Sequence, residues 1–343
     1  MRKLLNTLFV STQGSYLLKE GQSVIVNFEK STLLRLPIHT ISGIVCFGNV
    51  GISPYLLDLC MRSNVYVSIL SKYGRFIARI QGPISGNVLL RRAQYRKADD
   101  EKSVTEVAYG ILIGKIANSR TILQRALRDH EDKVDARKLR SSIQDLARII
   151  RKVDKEKSID ELRGFEGDAA HTYFRVFNNL ILSNKDIFVF TERSRRPPLD
   201  SVNALLSFTY TLLVHDVCSA LESVGLDPAV GFLHRDRPGR PSLALDLMEE
   251  FRTGLADRFV LSLINRNQIK PKGFSYSKTG SVIMDDENRK TLIVAWQKRK
   301  QDEIRHPFLN EKMQIGIIFH IQARLFAKYI RGEIDNYPPF YWR

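Results

Sequence analysis

A change of hydrophobic period near residue 84 constrains the fold of this chain more than any other feature. From Met1 to about Gln81, apolar residues come in short runs of strand length: LLNTLFVS, SYLLKEGQSVIVNFE, LRLPIHTISGIVCFG, VYVSILSK and RFIARIQG. KEGQ and SKYGR read as hairpin turns between them. Ser53-Pro54 opens one helical stretch through Leu56, Leu59 and Cys60, with proline near its first position. Turn residues then concentrate at Gly82-Pro83-Ile84-Ser85-Gly86-Asn87, and beyond them the spacing becomes helical. Two periods on either side of one breaker predict an α+β chain, with a small β domain carrying one inserted helix over residues 1–84 and a larger, mostly α-helical domain over 85–343.

In the second part, the periodicity predicts helices over about 88–96, 104–130, 143–153, 159–183, 199–224, 243–252, 255–265, 291–304 and 312–331, with a hairpin over 274–285. The charged segment KVDARKLRSS reads as a connector ahead of the third of these helices, and DKEKSID as a solvated loop.

The balance of 53 Lys plus Arg against 37 Asp plus Glu gives a formal charge of +16, which points to a polyanionic partner, nucleic acid first. A membrane surface is the weaker reading. No basic amphipathic segment with an aromatic face stands out, and no apolar run reads as approaching the roughly 20 residues of a spanning helix. The N-terminal MRKLLNTLFVSTQGSYLL reads as a strand rather than an export signal, because polar residues interrupt its apolar core. Cys46, Cys60 and Cys218 are too widely spaced for a disulfide framework or a zinc knuckle, which suits small buried hydrophobes in a reduced cytoplasm.

Candidate chemistry concentrates in Gly231 to Arg252, GFLHRDRPGRPSLALDLMEEFR. His234 is followed by a turn-rich loop bearing Arg235, Arg237 and Arg240, and Ser242 is placed to N-cap the next helix. On that helix Asp246, Glu249 and Glu250 follow an i, i+3, i+4 spacing, an acidic stripe among leucines. Glu166 lies in GFEGDAAHTYF, where Gly164, Gly167, Ala169 and Ala170 crowd small residues around it. Either a neighbouring helix packs closely there, or the carboxylate faces a ligand or metal. Thr191 to Pro198 is a basic, proline-stiffened loop with Arg193, Arg195 and Arg196, either a solvated connector or an arm touching phosphates.

A carboxylate, an imidazole and a second carboxylate form an O, N, O donor set that suits Mn2+ or Mg2+ better than structural zinc. In a basic protein the matching substrate is a phosphodiester, whose displacement such an ion assists. Spacing alone leaves open whether Glu166 meets His234, and an N-capped helix with an ordinary charged face remains the alternative.

GFEGDAAHTYF, ERSRRPPLDSVNALLSFTYTLL and GFLHRDRPGRPSLALDLMEEFR, in that order, resemble the CRISPR-associated integrase family, the larger subunit of the complex that inserts new spacers. The resemblance covers essentially the whole chain and is nearest to the version found with type I-C systems. It implies a β-sandwich-like N-terminal domain for dimerisation and partner docking, and a helical, metal-dependent catalytic domain. It also implies a homodimer, assembled with a small ferredoxin-like adaptation subunit on double-stranded protospacer and repeat DNA. The family's metal ligands map onto Glu166, His234 and Glu249, with Asp246 as an accessory carboxylate. Many relatives carry Asp at the last ligand position. The longer Glu249, followed by Glu250, leaves open which of Asp246, Glu249 and Glu250 coordinates directly. The implied activity is transesterification during spacer acquisition, in which a 3′-hydroxyl attacks a phosphodiester without ATP. No GxxxxGK[ST] loop occurs in the chain, consistent with that energetics. A metal nuclease for branched DNA and a non-catalytic architectural DNA-binding subunit are the other readings.

Overall fold

The structure, a computed structural model, describes residues 6–29, 31–74, 76–80, 82, 87–153, 158–278 and 280–342. The breaker at 83–86, part of the DKEKSID segment, and Thr279 of the expected hairpin turn lie outside the described residues.

Two compact units result. The first contains Met1–Ser85 with Asp286–Glu303 and Gln314–Ile317, and the second contains Gly86–Asp285, Ile304–Met313 and Ile318–Arg343. A reading by sequence order groups 286–303 with the helical part. These residues instead cluster with the N-terminal strands, because their helix has a buried face of Leu292, Ile293 and Trp296 that needs a core to cover it.

The first unit holds two four-stranded sheets. Its strands are β1 (Thr7–Val10), β2 (Tyr16–Glu20), β3 (Ser23–Phe28), β4 (Ser31–Pro37), β5 (Gly43–Phe47), β6 (Gly51–Ile52), β7 (Tyr66–Leu70) and β8 (Phe76–Ile80), with helix α1 (Pro54–Arg62) before β7. One sheet runs β1-β5-β7-β8 and the other β4-β3-β2-β6. The β2–β3 hairpin turns at Gly21, whose φ of +57° is the left-handed conformation such a turn requires. Ser53 caps α1 with its hydroxyl and Pro54 fills the first position. One shared core joins both sheets to α1: Val10, Leu17, Val24, Val26, Ile44, Cys46, Leu56, Leu59 and Val67. Alternating strands could bury one face only by meeting another layer, and here they meet across this core. Burial pushes the Cys46 and Cys60 thiols up to about 12, and all three cysteines are buried and outside any disulfide.

The second unit is built on α2 (Val88–Asp99), α3 (Glu101–Asp129), α4 (Ala136–Lys152), α5 (Ile159–Phe174), α6 (Ser201–Ser223), α7 (Ser242–Phe251) and α8 (Arg258–Asn265). A short hairpin, β9 (Phe274–Tyr276) with β10 (Val282–Met284), follows α8. Helix α9 (Asp286–Gln301) belongs to the first unit, and most of α10 (Ile315–Ile330) to the second. Long α3 is the spine, packing against α4, α5 and α7.

The helical part departs from the periodic reading in several places, including residues 312–314, which form a strand before α10. The charged ARKLRSS segment, capped by Asp135, is the first part of α4, because Leu139 and Ser142 continue the buried stripe of Ile143 and Leu146 under a charged outer face. The next helix stops at Phe174 and gives way to a short 3-10 turn, Phe177–Leu180. Helix α6 is long and apolar enough to cross a membrane by length and composition, which a reading by apolar runs misses because Ser, Thr, His and Asp interrupt them. It serves as a core helix here, with Leu205, Leu206, Leu212, Leu213 and Leu221 all buried.

Candidate active site

The acidic stripe on α7 consists of three carboxylates with three different partners. All of Asp246, Glu249 and Glu250 are buried. Burying an ionised carboxylate is tolerated only when donors or cations surround it, so each partner set reports what the residue holds in place.

Asp246 holds the histidine loop. Its carboxylate accepts backbone N–H groups from Phe232 at 2.6 Å, Leu233 at 3.1 Å and His234 at 2.9 Å. It also lies 2.7 Å from His234 Nδ1. With Nδ1–H donating to this carboxylate, the imidazole presents the lone pair of Nε2, the arrangement that suits a cation or proton acceptor. The loop must cross the start of α7 closely, since a Cβ on Gly231 would come within 2.7 Å of Ser242 Cβ and 2.9 Å of Asp246 Oδ2. Ser242 is not the N-cap that the sequence suggests. Pro241 occupies that position, and the Ser242 hydroxyl donates to the Arg235 carbonyl at 3.1 Å, tying down the loop instead.

Glu249 is the electrostatic centre. Lys115 Nζ from α3 lies 2.8 Å from Glu249 Oε2 and also donates to Glu166 Oε1 on α5, so one ammonium touches both carboxylates. Arg252 NH1 bonds both Glu249 oxygens, at 3.0 and 3.3 Å. Burial alone would raise the Glu249 pKa, but Arg252, Lys115 and nearby His234 together hold it well below the usual carboxylate range. Glu249 is therefore ionised throughout the physiological range, next to Glu166 through their shared lysine and next to His234.

Arg252 starts a π-helical turn, Arg252–Asp257, inserted between α7 and α8. Its guanidinium carbon lies 4.8 Å from the Tyr210 ring centre and 5.8 Å from that of Phe174, and Tyr210 donates to Asp257. Arg252 reaches Glu249 one turn back along the helix, and Asp257 at the end of the widened turn lies at Tyr210. Burial pushes the Asp257 carboxyl up to about 6, against the pull of Arg252.

Glu250 points elsewhere, toward the C-terminal tail. It accepts from Tyr337 OH at 2.6 Å, Phe340 N at 2.8 Å and Gln322 Nε2 at 2.9 Å. The Trp342 indole N–H donates to the Glu250 carbonyl at 3.0 Å, and Asn118 bridges that carbonyl to the Phe340 carbonyl. Burial raises the Glu250 pKa to about 7 despite the three donors. A carboxyl raised above its unfolded value of about 4.5 contributes stability that is complete below pH 4.5 and lost as pH rises through 7. The melting temperature of Glu250→Gln minus that of wild type is therefore expected to increase from pH 4.5 to pH 8. The full span is roughly 3 kcal/mol at most. A flat or falling difference in thermal melts across that range would remove this account of Glu250.

Of the small residues around Glu166, Ala169 is buried in the packing of α5, but the two glycines do not serve it. A Cβ on Gly164 or Gly167 would meet nothing within 4 Å, so α5 is open at both glycines. The helix itself is firmly begun by a capping box of Ser158 and Glu161.

Of the arginines singled out in the sequence, Arg195, Arg196 and Arg237 are exposed, and Arg240 is half-buried. Burial first, then the charges of Arg237, Arg195 and Arg196, act to lower the Arg240 pKa, so the two basic loops lie within electrostatic reach of each other. Arg193 differs. It turns inward, with NH1 donating to Asn203 Oδ1 at 2.6 Å, NH2 to Ser207 Oγ at 3.1 Å and its guanidinium carbon 5.2 Å from the Tyr210 ring centre. Its role is to anchor the loop to α6, because Asn203 and Tyr210 offer partners that the basic composition of the loop does not reveal. Arg235 pairs with Asp160 at 2.8 Å, joining the histidine loop to the start of α5.

Lys115 is the residue that the sequence reading passes over. Its signal is nonetheless there: it is i+4 from Ile111 and i+3 from Leu112, on the buried stripe of α3, where a lysine needs an anionic partner. As the side chains stand, no group of three His, Cys, Asp or Glu among the described residues is placed to hold a metal ion. The ammonium of Lys115 instead lies between the Glu166 and Glu249 carboxylates.

Residues 8–298 match the family described as CRISPR associated protein Cas1. The chain belongs to the Cas1 family. It is 56% identical over its full length to the full length of a CRISPR-associated endonuclease Cas1 from Chlorobaculum tepidum. Its fold resembles that of a casposase bound to integration product, with a TM-score of 0.84 and 23% identity, covering 98% of this chain and 94% of that one. It also resembles a chain of a Cas6-RT-Cas1–Cas2 complex, with a TM-score of 0.82 and 22% identity, covering 98% of this chain and 36% of that one. Within the Cas1 family, the α+β architecture of a β-rich N-terminal part followed by helices is the shared fold.

Proposed function

We propose that this Cas1 chain is a metal-dependent DNA integrase and endonuclease, which inserts protospacer DNA into a CRISPR array during spacer acquisition. The observation that carries the reading is one buried ammonium shared by Glu166 and Glu249, beside an imidazole whose other nitrogen is fixed by Asp246. The likeness to a curated Cas1 endonuclease along its whole length supports the same activity.

The residues fit a divalent cation on donor chemistry. Two carboxylates from separate helices already converge on one cationic atom, and the nearby imidazole supplies a nitrogen, so Glu166, His234 and Glu249 would hold Mg2+ or Mn2+. Such an ion, when bound, polarises the scissile phosphate and neutralises charge on the attacking and leaving oxygens. The remaining work belongs to the protein. Asp246 sets the imidazole tautomer, Arg252 keeps Glu249 ionised and oriented, and Arg195, Arg196, Arg237 and Arg240 hold backbone phosphates. A 3′-hydroxyl at the protospacer end attacks the phosphodiester at the repeat edge, and the 3′-oxygen of the cut strand leaves. One bond replaces another of the same kind, so ATP is not needed.

A homodimer acting in the cytoplasm with a small ferredoxin-like subunit is part of this proposal, and the Cas1–Cas2 assembly of the fold neighbour supports the partnership. The test is insertion of a protospacer duplex into a repeat-bearing plasmid with the partner subunit. Joined product is expected in Mn2+ or Mg2+ and none in EDTA. Product undiminished by EDTA contradicts metal dependence, and DNA binding with no joined product in either metal contradicts the enzymatic reading.

The arginine cluster gives a separate expectation. Replacing Arg195, Arg196, Arg237 and Arg240 together by Ala is expected to flatten the plot of log affinity against log salt by about 0.9 for each phosphate no longer neutralised. An unchanged slope removes these residues from the DNA interface.

A further inference from the structure

We propose that Lys115 is a resident counter-cation of the Glu166–Glu249 pair, released from both carboxylates when a divalent ion binds, and that it thereby sets the affinity of the site for metal. This rests on the metal reading above and adds a competitor to it.

Two cations address Glu249, and they differ in every respect that matters. Arg252 lies three residues along the same helical run and bonds both Glu249 oxygens. Its guanidinium lies against the rings of Tyr210 and Phe174 and is buried. A planar group held by two hydrogen bonds and stacked on aromatic rings is less free to leave than an ammonium on a flexible stem. Lys115 reaches in from α3 on a flexible four-carbon stem and is shared between Glu249 and Glu166, which stand on separate helices. It is 4% exposed, so its charge is balanced by these carboxylates rather than by water.

Without a positive charge between them, Glu249 and Glu166 would repel each other at low dielectric, and the ammonium removes that cost while no metal is bound. A divalent ion takes carboxylate oxygens at roughly 2.0–2.2 Å. An ammonium already within hydrogen-bond reach of the same two side chains opposes this, both by occupying their oxygens and by repelling the incoming charge. Metal entry is therefore an exchange of one cation for another, and the free energy of binding is reduced by the lysine ion pairs that must break. Arg252 is untouched by the exchange and keeps Glu249 in place. The arrangement explains why a lysine sits in the buried stripe of α3, where apolar packing alone would be served by leucine.

The test is titration of the full-length protein with Mn2+ alone, followed by calorimetry and by the metal-dependent rise in melting temperature, for wild type, Lys115→Met, Lys115→Gln and Glu166→Gln. Lys115→Met is expected to melt lower than wild type without metal and to bind Mn2+ about tenfold more tightly. Lys115→Gln, which keeps a donor but no charge, is expected to show the same tightening, and carries the test should the methionine variant not fold. A purely structural lysine would lower the melting temperature and leave Mn2+ affinity unchanged, and that result overturns the proposal. Weaker Mn2+ binding in both variants overturns it as well, making the lysine an aid to the ligands rather than a competitor. If wild type binds Mn2+ and Glu166→Gln loses it, the metal reading stands whatever the lysine variants do. If wild type shows no Mn2+ binding, the metal reading falls and the proposal falls with it.

Discussion

Glu249→Ala is expected to destabilise the protein by roughly 3–5 kcal/mol, because it takes the carboxylate partner from buried Arg252 and leaves buried Lys115 only the partly exposed Glu166. Glu166→Ala is expected to cost far less, on the order of 1 kcal/mol. Glu166 is partly exposed, and Lys115 keeps Glu249 as a partner after it is gone. Both variants are expected to lose strand transfer. The pair thus separates two properties that a single substitution confuses: a carboxylate can be essential to the chemistry without carrying the fold. Urea denaturation of the two variants measures the difference directly. Equal losses, or a loss below 1 kcal/mol for Glu249→Ala, contradict the electrostatic account of the site.

The second large effect is expected at the C-terminal tail. Trp342 packs onto the π-helical turn so closely that a Cβ on Gly254 would lie 2.3 Å from the indole ring. Its indole N–H reaches the Glu250 carbonyl and its backbone N–H donates to Asn118. Trp342→Ala is expected to cost roughly 3–5 kcal/mol through weakened packing, and Gly254→Ala is expected to expel the same ring. The two changes act on one contact, so their combined cost should be much smaller than the sum of the single costs in a double-mutant cycle. Additive losses would show that the tail and the turn are independent.

Much of the fold is legible because its signals are local. The alternation of VYVSILSK, the Ser53-Pro54 start of α1 and the Gly21 turn each follow from neighbouring residues, and each appears where the pattern puts it. The change of period separates the strands from most of the helices. It cannot place α9, which groups with the strand-bearing unit, because which core its Trp296 face meets is a long-range matter. The same division holds at the site. Asp246, Glu249 and Glu250 stand out as carboxylates on an otherwise apolar helix, but their separate partners come from α3, the histidine loop and the tail. Nothing in the helix itself distinguishes the residue that fixes an imidazole from the one that anchors a C-terminus. Arg193 illustrates the converse. Its loop is uniformly basic, and only the position of Asn203 and Tyr210 on α6 decides that this arginine turns inward while Arg195 and Arg196 face solvent. Lys115 escapes notice because it lies in a helix read for its apolar positions, where the charged exception holds the information.

The central claim is that Glu166, His234 and Glu249 act as one metal-dependent centre. Its most direct test is the rate of Mn2+-dependent strand transfer by Glu166→Gln and His234→Ala, measured beside their affinity for the same DNA. The expected result is a rate lower by about a thousandfold in each, equivalent to roughly 4 kcal/mol of lost transition-state stabilisation, with DNA affinity unchanged within a few-fold. Unchanged rates accompanied by weakened binding would contradict the claim and leave these residues a structural or DNA-holding role.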